Sequence, residues 1–102
     1  MEKYQLKQTD EFRKEFEKLP NDIKYRFEKQ IKKVEQNPYG IGDPLSYRWF
    51  RELKNKKFRL YYLVFEKEVV ILFVGVSDKK SQQKVIDMIT KVMDKYRDLA
   101  RK

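Results

Sequence analysis

Six basic side chains fall within twelve residues near the middle of the chain, and these are the groups best suited to chemistry. Residues 48–59 contain one acid, Glu52, and carry a net charge of +5 of the +9 found over all 102 residues. A concentrated basic patch on a small domain favours a polyanion as partner, most simply the phosphates of a nucleic acid. The alternative is a solvated surface that its charge keeps soluble. The six are Arg48, Arg51, Lys54, Lys56, Lys57 and Arg59.

The residue types that are missing narrow this chemistry. The chain has no cysteine and no histidine, which excludes a thiolate nucleophile, a disulfide framework and the usual zinc ligands and general base. The spacing of Asp and Glu suggests no hard-cation site, so we expect neither a metal nor a cofactor. A crowded Lys/Arg cluster can still stabilise charge that builds on a phosphate. Repulsion within it can also let one lysine act as an acid or base near neutrality.

The remaining composition indicates one cytoplasmic domain without a membrane partner. The N-terminal sequence "MEKYQLKQTDEF" has no apolar signal-peptide core, and the longest apolar run, "VVILFVGV" at 69–76, is far shorter than a membrane span. Length and the absence of repeats predict a single domain over residues 1–102. Charged residues make up 40% of the chain, which is typical of proteins from thermophiles.

Apolar periodicity predicts an α+β fold with the element order β-α-α-β-β-β-α. A short strand at 4–7 precedes two helices in "TDEFRKEFEKLP" and "IKYRFEKQIKKVEQNP", whose apolar residues recur every three or four positions. After the loop "PYGIGDPLSY", the runs "YRWFREL", "FRLYYLVF" and "VVILFVGV" are joined by the short turns "NKK" and "EKE". This pattern predicts an antiparallel meander with the third strand in the centre, the helical hairpin on one face, and a last helix at the C-terminus.

This combination resembles the RelE/ParE toxin superfamily of toxin–antitoxin systems, and its RelE branch most closely. The resemblance covers about residues 4 to 90 and is carried by "FRKEFEKLP", the "NP" that ends the hairpin, "PLSYRWFREL" and "KFRLYYLVF…EVVILFVGVSDKK". It implies a small curved antiparallel sheet with two helices on one face and a basic concave face opposite.

The resemblance also implies a function: a metal-independent, ribosome-dependent endoribonuclease that cuts mRNA and inhibits translation until an acidic antitoxin blocks it. In that chemistry the 2′-OH of the RNA attacks the adjacent phosphorus, assisted by basic side chains. Carried over by position, the resemblance and the local charge predict two sets of residues. The catalytic set is Arg59, Lys54, Lys79 and Arg51; the RNA-binding set is Lys56, Lys57, Lys80 and Arg48.

Three positions depart from the RelE pattern and keep an alternative open. Glu52 and Phe50 fall where RelE ribonucleases carry basic strand residues, and Val85 falls at about the position of their C-terminal tyrosine. A shifted register would let Arg51 and Lys54 replace the strand residues. The departures favour a non-enzymatic member of the superfamily, either a gyrase inhibitor or a basic module that binds nucleic acid or a partner. A stable basic domain without a nucleic-acid role is a third interpretation.

Two apolar features have a structural and a functional interpretation each. Tyr47, Trp49 and Phe50 either cover an edge of the core or stack on bases. The broad apolar stripe of the last helix is either core or a contact surface for the antitoxin or for a second copy of the chain, which would make a homodimer.

Overall fold

The computed structural model describes residues 3–101 as a five-stranded sheet with a pair of helices on each face. The elements in chain order are β1 (Gln5–Gln8), α1 (Asp10–Glu17), α2 (Asn21–Gln36), β2 (Asp43–Pro44), β3 (Phe50–Asn55), β4 (Phe58–Phe65), β5 (Val70–Asp78), α3 (Gln82–Lys91) and α4 (Met93–Arg101).

The helical hairpin forms as its apolar spacing predicts. Thr9 caps α1, with its Oγ1 accepting a hydrogen bond from the Phe12 backbone N at 3.0 Å. The buried residues of both helices lie on one stripe and pack on one face of the sheet, which we call the α1/α2 face. That core contains Phe12, Leu19, Ile23, Phe27 and Val34 from the helices, with Leu53, Leu60, Tyr62, Val64, Ile71 and Phe73 from the strands.

The strand order is β1-β5-β4-β3-β2, and β3, β4 and β5 form the predicted antiparallel meander. The buried β5 lies between β1 and β4, as its apolar sequence predicts. The sheet is not antiparallel throughout, because β1 pairs with β5 in parallel. The α1–α2 hairpin returns the chain before the meander begins, so β1 and β5 run in the same direction. The two-residue β2 adds a further short edge beside β3.

The predicted C-terminal helix forms as two segments, because the chain turns at Val92 between α3 and α4. The Thr90 hydroxyl donates to the carbonyl of Ile86 at 2.9 Å, a back-bonding pattern that bends helices. Both helices pack on the second face of the sheet, against Phe50, Tyr61, Leu63, Leu72 and Val74. This α3/α4 face is therefore not the open basic surface that the resemblance implied. The basic residues directed to this face lie past the N-terminus of α3, where the helix no longer covers the sheet.

Two absences concern residues 3–101 as a whole. None of the helices in this range combines the length and the apolar character needed to cross a membrane. Nor does this range bring three acidic side chains together as a metal-binding group.

Arg51 is a buried charge that holds the loop before β3. Its side chain is directed to the α1/α2 face, and the residue is only 5% exposed. The guanidinium donates to the carbonyls of Ile41, Arg48, Tyr39 and Gly42 at 3.0 to 3.3 Å. These donors are committed to the fold, so Arg51 occupies a structural position rather than the catalytic one predicted from the sequence.

We expect Arg51→Lys to lower the free energy of unfolding by about 3 kcal/mol, because an ammonium group cannot reach four carbonyls that lie in different directions. Urea denaturation measures this change. Arg48→Lys is the control: its side chain is 69% exposed, so we expect a change within about 0.5 kcal/mol. Equal losses in the two variants would contradict the structural role of Arg51.

Candidate nucleic-acid interface

Six of the eight predicted basic residues gather where β3, β4 and β5 meet, and we call this region the basic end. Lys54 and Arg59 are directly opposite each other in the β3–β4 register. The chain turns between them at residues 56–57, and Phe58 pairs with Asp78, so the turn that follows β5 lies beside the β3–β4 turn. The basic end consists of Lys54, Lys56, Lys57, Arg59, Lys79 and Lys80.

Strand alternation directs Lys54 and Arg59 to the α3/α4 face, just beyond the N-terminus of α3. Phe50 and Tyr61, which lie on that face, are separated from them by an even number of residues. Side chains opposite each other in such a pair have Cβ atoms about 5 Å apart, and like charges there destabilise a sheet by roughly 0.2–1 kcal/mol. The fold therefore places two cations opposite each other, and nearby acids must offset their repulsion.

A bulge in the β4–β5 pair determines which residue of β5 lies opposite Arg59. Tyr62 pairs with Phe73 but Tyr61 pairs with Gly75, so Val74 is an extra residue in β5. Beyond the bulge, Ser77 pairs with Arg59. The Ser77 and Tyr61 hydroxyls are 2.8 Å apart and hydrogen-bonded.

Tyr61 contributes a buried phenol to this end of the sheet. Burial raises the pKa of Tyr61; the Ser77 hydrogen bond and the Arg59 charge oppose the rise, whereas Glu52 adds to it. The phenol is therefore neutral at physiological pH, and it serves as a sheet-face residue. The sequence of α3, "QQKVIDMITK", contains no tyrosine, and Val85 packs next to Gly75 against the core.

A buried carboxylate tethers Lys54. Glu52 is 4% exposed and accepts a hydrogen bond from Gln82 Nε2 at 2.7 Å. Its other oxygen lies 3.6 Å from Lys54 Nζ, and Asp43 Oδ2 lies 3.5 Å from the same nitrogen. Lys54 is thus held between two acids. Arg51 faces the opposite side of the sheet, so a shifted register cannot supply it as a second strand cation beside Lys54.

Arg59 is held against the β3–β4 turn. Its Nη1 donates to the carbonyls of Lys56 and Phe58 at 3.0 and 3.1 Å. Within the described residues, its Nε is buried without a hydrogen-bond partner. The guanidinium therefore has a fixed position at the centre of the basic end.

The turn places a lysine in a backbone conformation that favours glycine. Lys56 has φ = 53°, which costs a residue with a Cβ about 1 kcal/mol or more. Its ion pair with Asp22, at 3.6 Å, joins two exposed side chains and contributes little. Lysine occupies this position although glycine would fit the backbone better, which favours a role for the side chain itself.

Asp78 orders the second turn of the basic end. Its carboxylate accepts hydrogen bonds from the backbone N and the Oγ of Ser81, both at 2.9 Å. These bonds lower the pKa of Asp78, and the charge of Lys57 lowers it further. The turn that carries Lys79 and Lys80 is therefore fixed beside the β3–β4 turn.

Arg48, which was predicted to bind RNA, does not belong to the basic end. It precedes β3, so the length of that strand separates it from Lys54. Its guanidinium carbon lies 3.7 Å from the centre of the Tyr39 ring, and its Nη1 lies 3.4 Å from Glu66 Oε1.

Four residues that organise the site were not among the sequence predictions. Strand alternation places Tyr61 on the face of Arg59, so this position was open to prediction. The contacts made by Ser77 depend on the bulge, and those of Gln82 depend on how α3 is docked, so neither leaves a local sequence signal. Asp78 bonds Ser81 three residues along the chain, a local pattern that can be read from the sequence.

Comparison with solved structures shows which class of protein has this fold. A free-state mutant of the Escherichia coli toxin RelE matches with a TM-score of 0.74 at 19% identity, over 89% of this chain and 99% of that one. The intact E. coli RelBE toxin–antitoxin complex matches with 0.66 at 22% identity, over 74% and 95%. The RelB–RelE antitoxin–toxin complex of Methanococcus jannaschii matches with 0.60 at 18% identity, over 78% and 96%. The fold is that of RelE toxins.

Sequence comparison then supplies the family. No family model matches the chain. A RelE-like toxin protein of E. coli is 31% identical over 85 residues, which cover 76% of this chain and 85% of that protein. The chain therefore belongs to the RelE-like toxin family of toxin–antitoxin systems.

We expect Lys56→Gly to raise the free energy of unfolding by about 0.5–1 kcal/mol, because glycine adopts the left-handed conformation without strain. Lys57→Gly is the matched control, since only Lys56 has a positive φ in this turn; it should be neutral or destabilising. Chemical denaturation of both variants measures the difference. A loss of stability in Lys56→Gly would mean that the side-chain contacts outweigh the strain.

We expect Asp78→Asn to lower the melting temperature slightly at pH 7 and to leave it unchanged at strongly acidic pH. The pKa of Asp78 is lower in the folded state, so its stabilisation is present above the unfolded value of 3.8 and is lost as the pH falls through the folded value. Thermal melts of both proteins from neutral to acidic pH measure this. A difference that persists at the lowest pH would show that the Asp78 charge is not responsible.

Proposed function

We propose that this protein is a metal-independent, ribosome-dependent endoribonuclease that cuts mRNA and so inhibits translation. The observation that carries the proposal is the cross-strand pair of Lys54 and Arg59, flanked by lysines on two adjoining turns. Like charges opposed in this way repel each other, and a bound phosphate would relieve the repulsion that Glu52 and Asp43 leave.

The proposed reaction is attack by the 2′-OH on the adjacent phosphorus, with loss of the 5′-oxygen of the next nucleotide. A bond from the 2′-oxygen to phosphorus forms as the bond to the 5′-oxygen breaks. Lys54, Arg59 and Lys79 would stabilise the charge on the pentacoordinate phosphorus, because fixed cations interact more strongly with the transition state than with the starting phosphate. Lys54 and its neighbour Glu52 are the groups placed to take the proton of the 2′-OH and to give one to the departing 5′-oxygen.

Binding of the flanking RNA is assigned to the lysines of the two turns. The side chains of Lys56 and Lys57 occupy one turn, and that of Lys80 extends from the exposed end of the other. Lysines placed around a reacting phosphate position the neighbouring phosphates and contribute a salt-dependent part of the affinity.

An acidic antitoxin is the proposed protein partner. Two of the structurally similar proteins are toxin–antitoxin complexes, and this chain carries a net charge of +9. Met88 on α3 is 62% exposed, and Val92 at the C-terminal end of α3 is 42% exposed. They leave apolar surface for a partner to cover. The homodimer predicted from the same helical stripe would compete for this surface.

A specific observation favours a second candidate, which is binding without cleavage. Glu52 places a buried carboxylate 3.6 Å from Lys54, where it neutralises part of the positive charge that a phosphate transition state needs. A protein with this site would bind the ribosome or another nucleic-acid complex, or inhibit gyrase, without cutting RNA.

The test is cell-free translation with the purified protein, in which primer extension maps breaks in the mRNA. We expect cuts within codons that require ribosomes, and about 100-fold slower cutting with Arg59→Ala or Lys54→Ala. Lys67→Ala is the matched control, because Lys67 is an exposed turn lysine in the connection between β4 and β5; it should cut at the normal rate.

The outcomes separate the two candidates. Intact mRNA with the protein bound to ribosomes in a salt-sensitive way would support binding without cleavage. Intact mRNA, no ribosome binding and loss of DNA supercoiling by gyrase would support the gyrase alternative. Normal cutting by both Arg59→Ala and Lys54→Ala, with their folds shown to be intact by thermal melting, would overturn the assignment of the basic end.

A further inference from the structure

A pair of stacked aromatic rings lies at the other end of the α3/α4 face from the basic end. The rings of Tyr47 and Trp49 are 4.7 Å apart and within 6° of parallel. Trp49 packs against the cores on both faces of the sheet, whereas Tyr47 is 48% exposed. We call this pair the aromatic shelf: its inner ring is anchored in the fold and its outer ring is open to solvent.

The shelf forms one wall of a hollow of about 220 Å³. The other lining residues come from the two C-terminal helices and are Thr90, Met93 and Arg97. Arg97 pairs with Asp94 at 3.4 Å, but the two side chains are 53% and 98% exposed. Such an exposed pair contributes little, so a phosphate could replace the carboxylate at the guanidinium.

We propose that the aromatic shelf is an RNA subsite, where a base of a single-stranded segment stacks on Tyr47 and a neighbouring phosphate contacts Arg97. A flat, exposed ring beside a cation is the arrangement by which proteins bind single strands without reading their sequence. The rigid packing of Trp49 means that the shelf loses little freedom when a base binds.

The position of the shelf favours RNA over an aromatic side chain of a protein partner. Trp49 directly precedes β3 and Lys54 lies near the far end of that strand, roughly 17 Å away, so one extended RNA segment could reach both. Trp49 and four cations of the basic end belong to the segment 48–59, which carries a net charge of +5. The subsite deepens the proposed function, since it adds a contact for the RNA that the basic end would hold.

The test uses the fluorescence of Trp49, which is the only tryptophan in the chain. The intact protein is titrated with an oligouridylate of about ten nucleotides, within the range that single-strand sites span, and with an abasic oligomer of equal length. We expect the oligouridylate to quench Trp49 and the abasic oligomer, which has the same phosphates but no bases, to leave its emission nearly unchanged.

Variants assign the effect to the shelf. Tyr47→Ser should weaken oligouridylate binding about tenfold or more, the loss of one stacked base, whereas Tyr47→Phe should bind normally. Tyr25→Ser is the matched control. Tyr25 is also exposed, at 61%, and its ring centre lies 4.6 Å from the Lys29 ammonium, but both residues are on α2, away from the shelf. Arg97→Gln should reduce the slope of log affinity against log salt concentration by about one, which is the effect of losing one phosphate contact.

Each result supports or overturns the subsite without depending on cleavage. Equal quenching by the abasic oligomer, or unchanged binding by Tyr47→Ser, would overturn it. Quenching by an aromatic peptide but not by oligouridylate would also overturn it, in favour of a protein partner. If the oligouridylate quenches Trp49 but the protein leaves mRNA intact in translation, the subsite is supported and the nuclease assignment fails.

Discussion

The pairing of β4 with β5 decides what the basic end contains. The single extra residue, Val74, changes the register between Tyr62 and Tyr61. Without it, Arg59 would lie opposite Val76, which packs toward the α1/α2 core. With it, Arg59 lies opposite Ser77, whose hydroxyl bonds Tyr61. The bulge thus converts an apolar cross-strand neighbour into a polar one at the point where the cations gather, a use of bulges that is common beside functional sites.

The basic end combines crowded cations with a limited number of acids that position them. Glu52 and Asp43 hold Lys54, Asp22 lies near Lys56, and Asp78 fixes the second turn. The exposed pairs contribute little to stability, so they can yield to a phosphate. Glu52 is different, because it is buried and bonded to Gln82. It is the side chain on which the choice between catalysis and simple binding depends.

The two layers of helices explain why the polar features lie at the ends of the sheet. Each face of the meander is covered by apolar helix residues, which stabilise the fold by burial. The basic end lies beyond the start of α3, and the aromatic shelf lies next to α4. Gln82 links the first residue of α3 to Glu52, so the position of these helices and the geometry of the basic end are connected.

The sequence by itself determined the helical hairpin, the meander and the central position of β5. These depend on local signals: apolar periods of about 3.6 and 2, a proline between helices, and short polar turns between strands. The residues that resemble RelE toxins also lie in these elements. Only the tertiary structure decided that Arg51 points into the loop before β3, that Arg48 stacks on Tyr39, and that Glu52 bonds Gln82. Alternation assigns a side chain to a face but does not say what covers that face. A basic side chain near a charged patch can equally satisfy buried carbonyls, and only the packing of distant segments distinguishes the two.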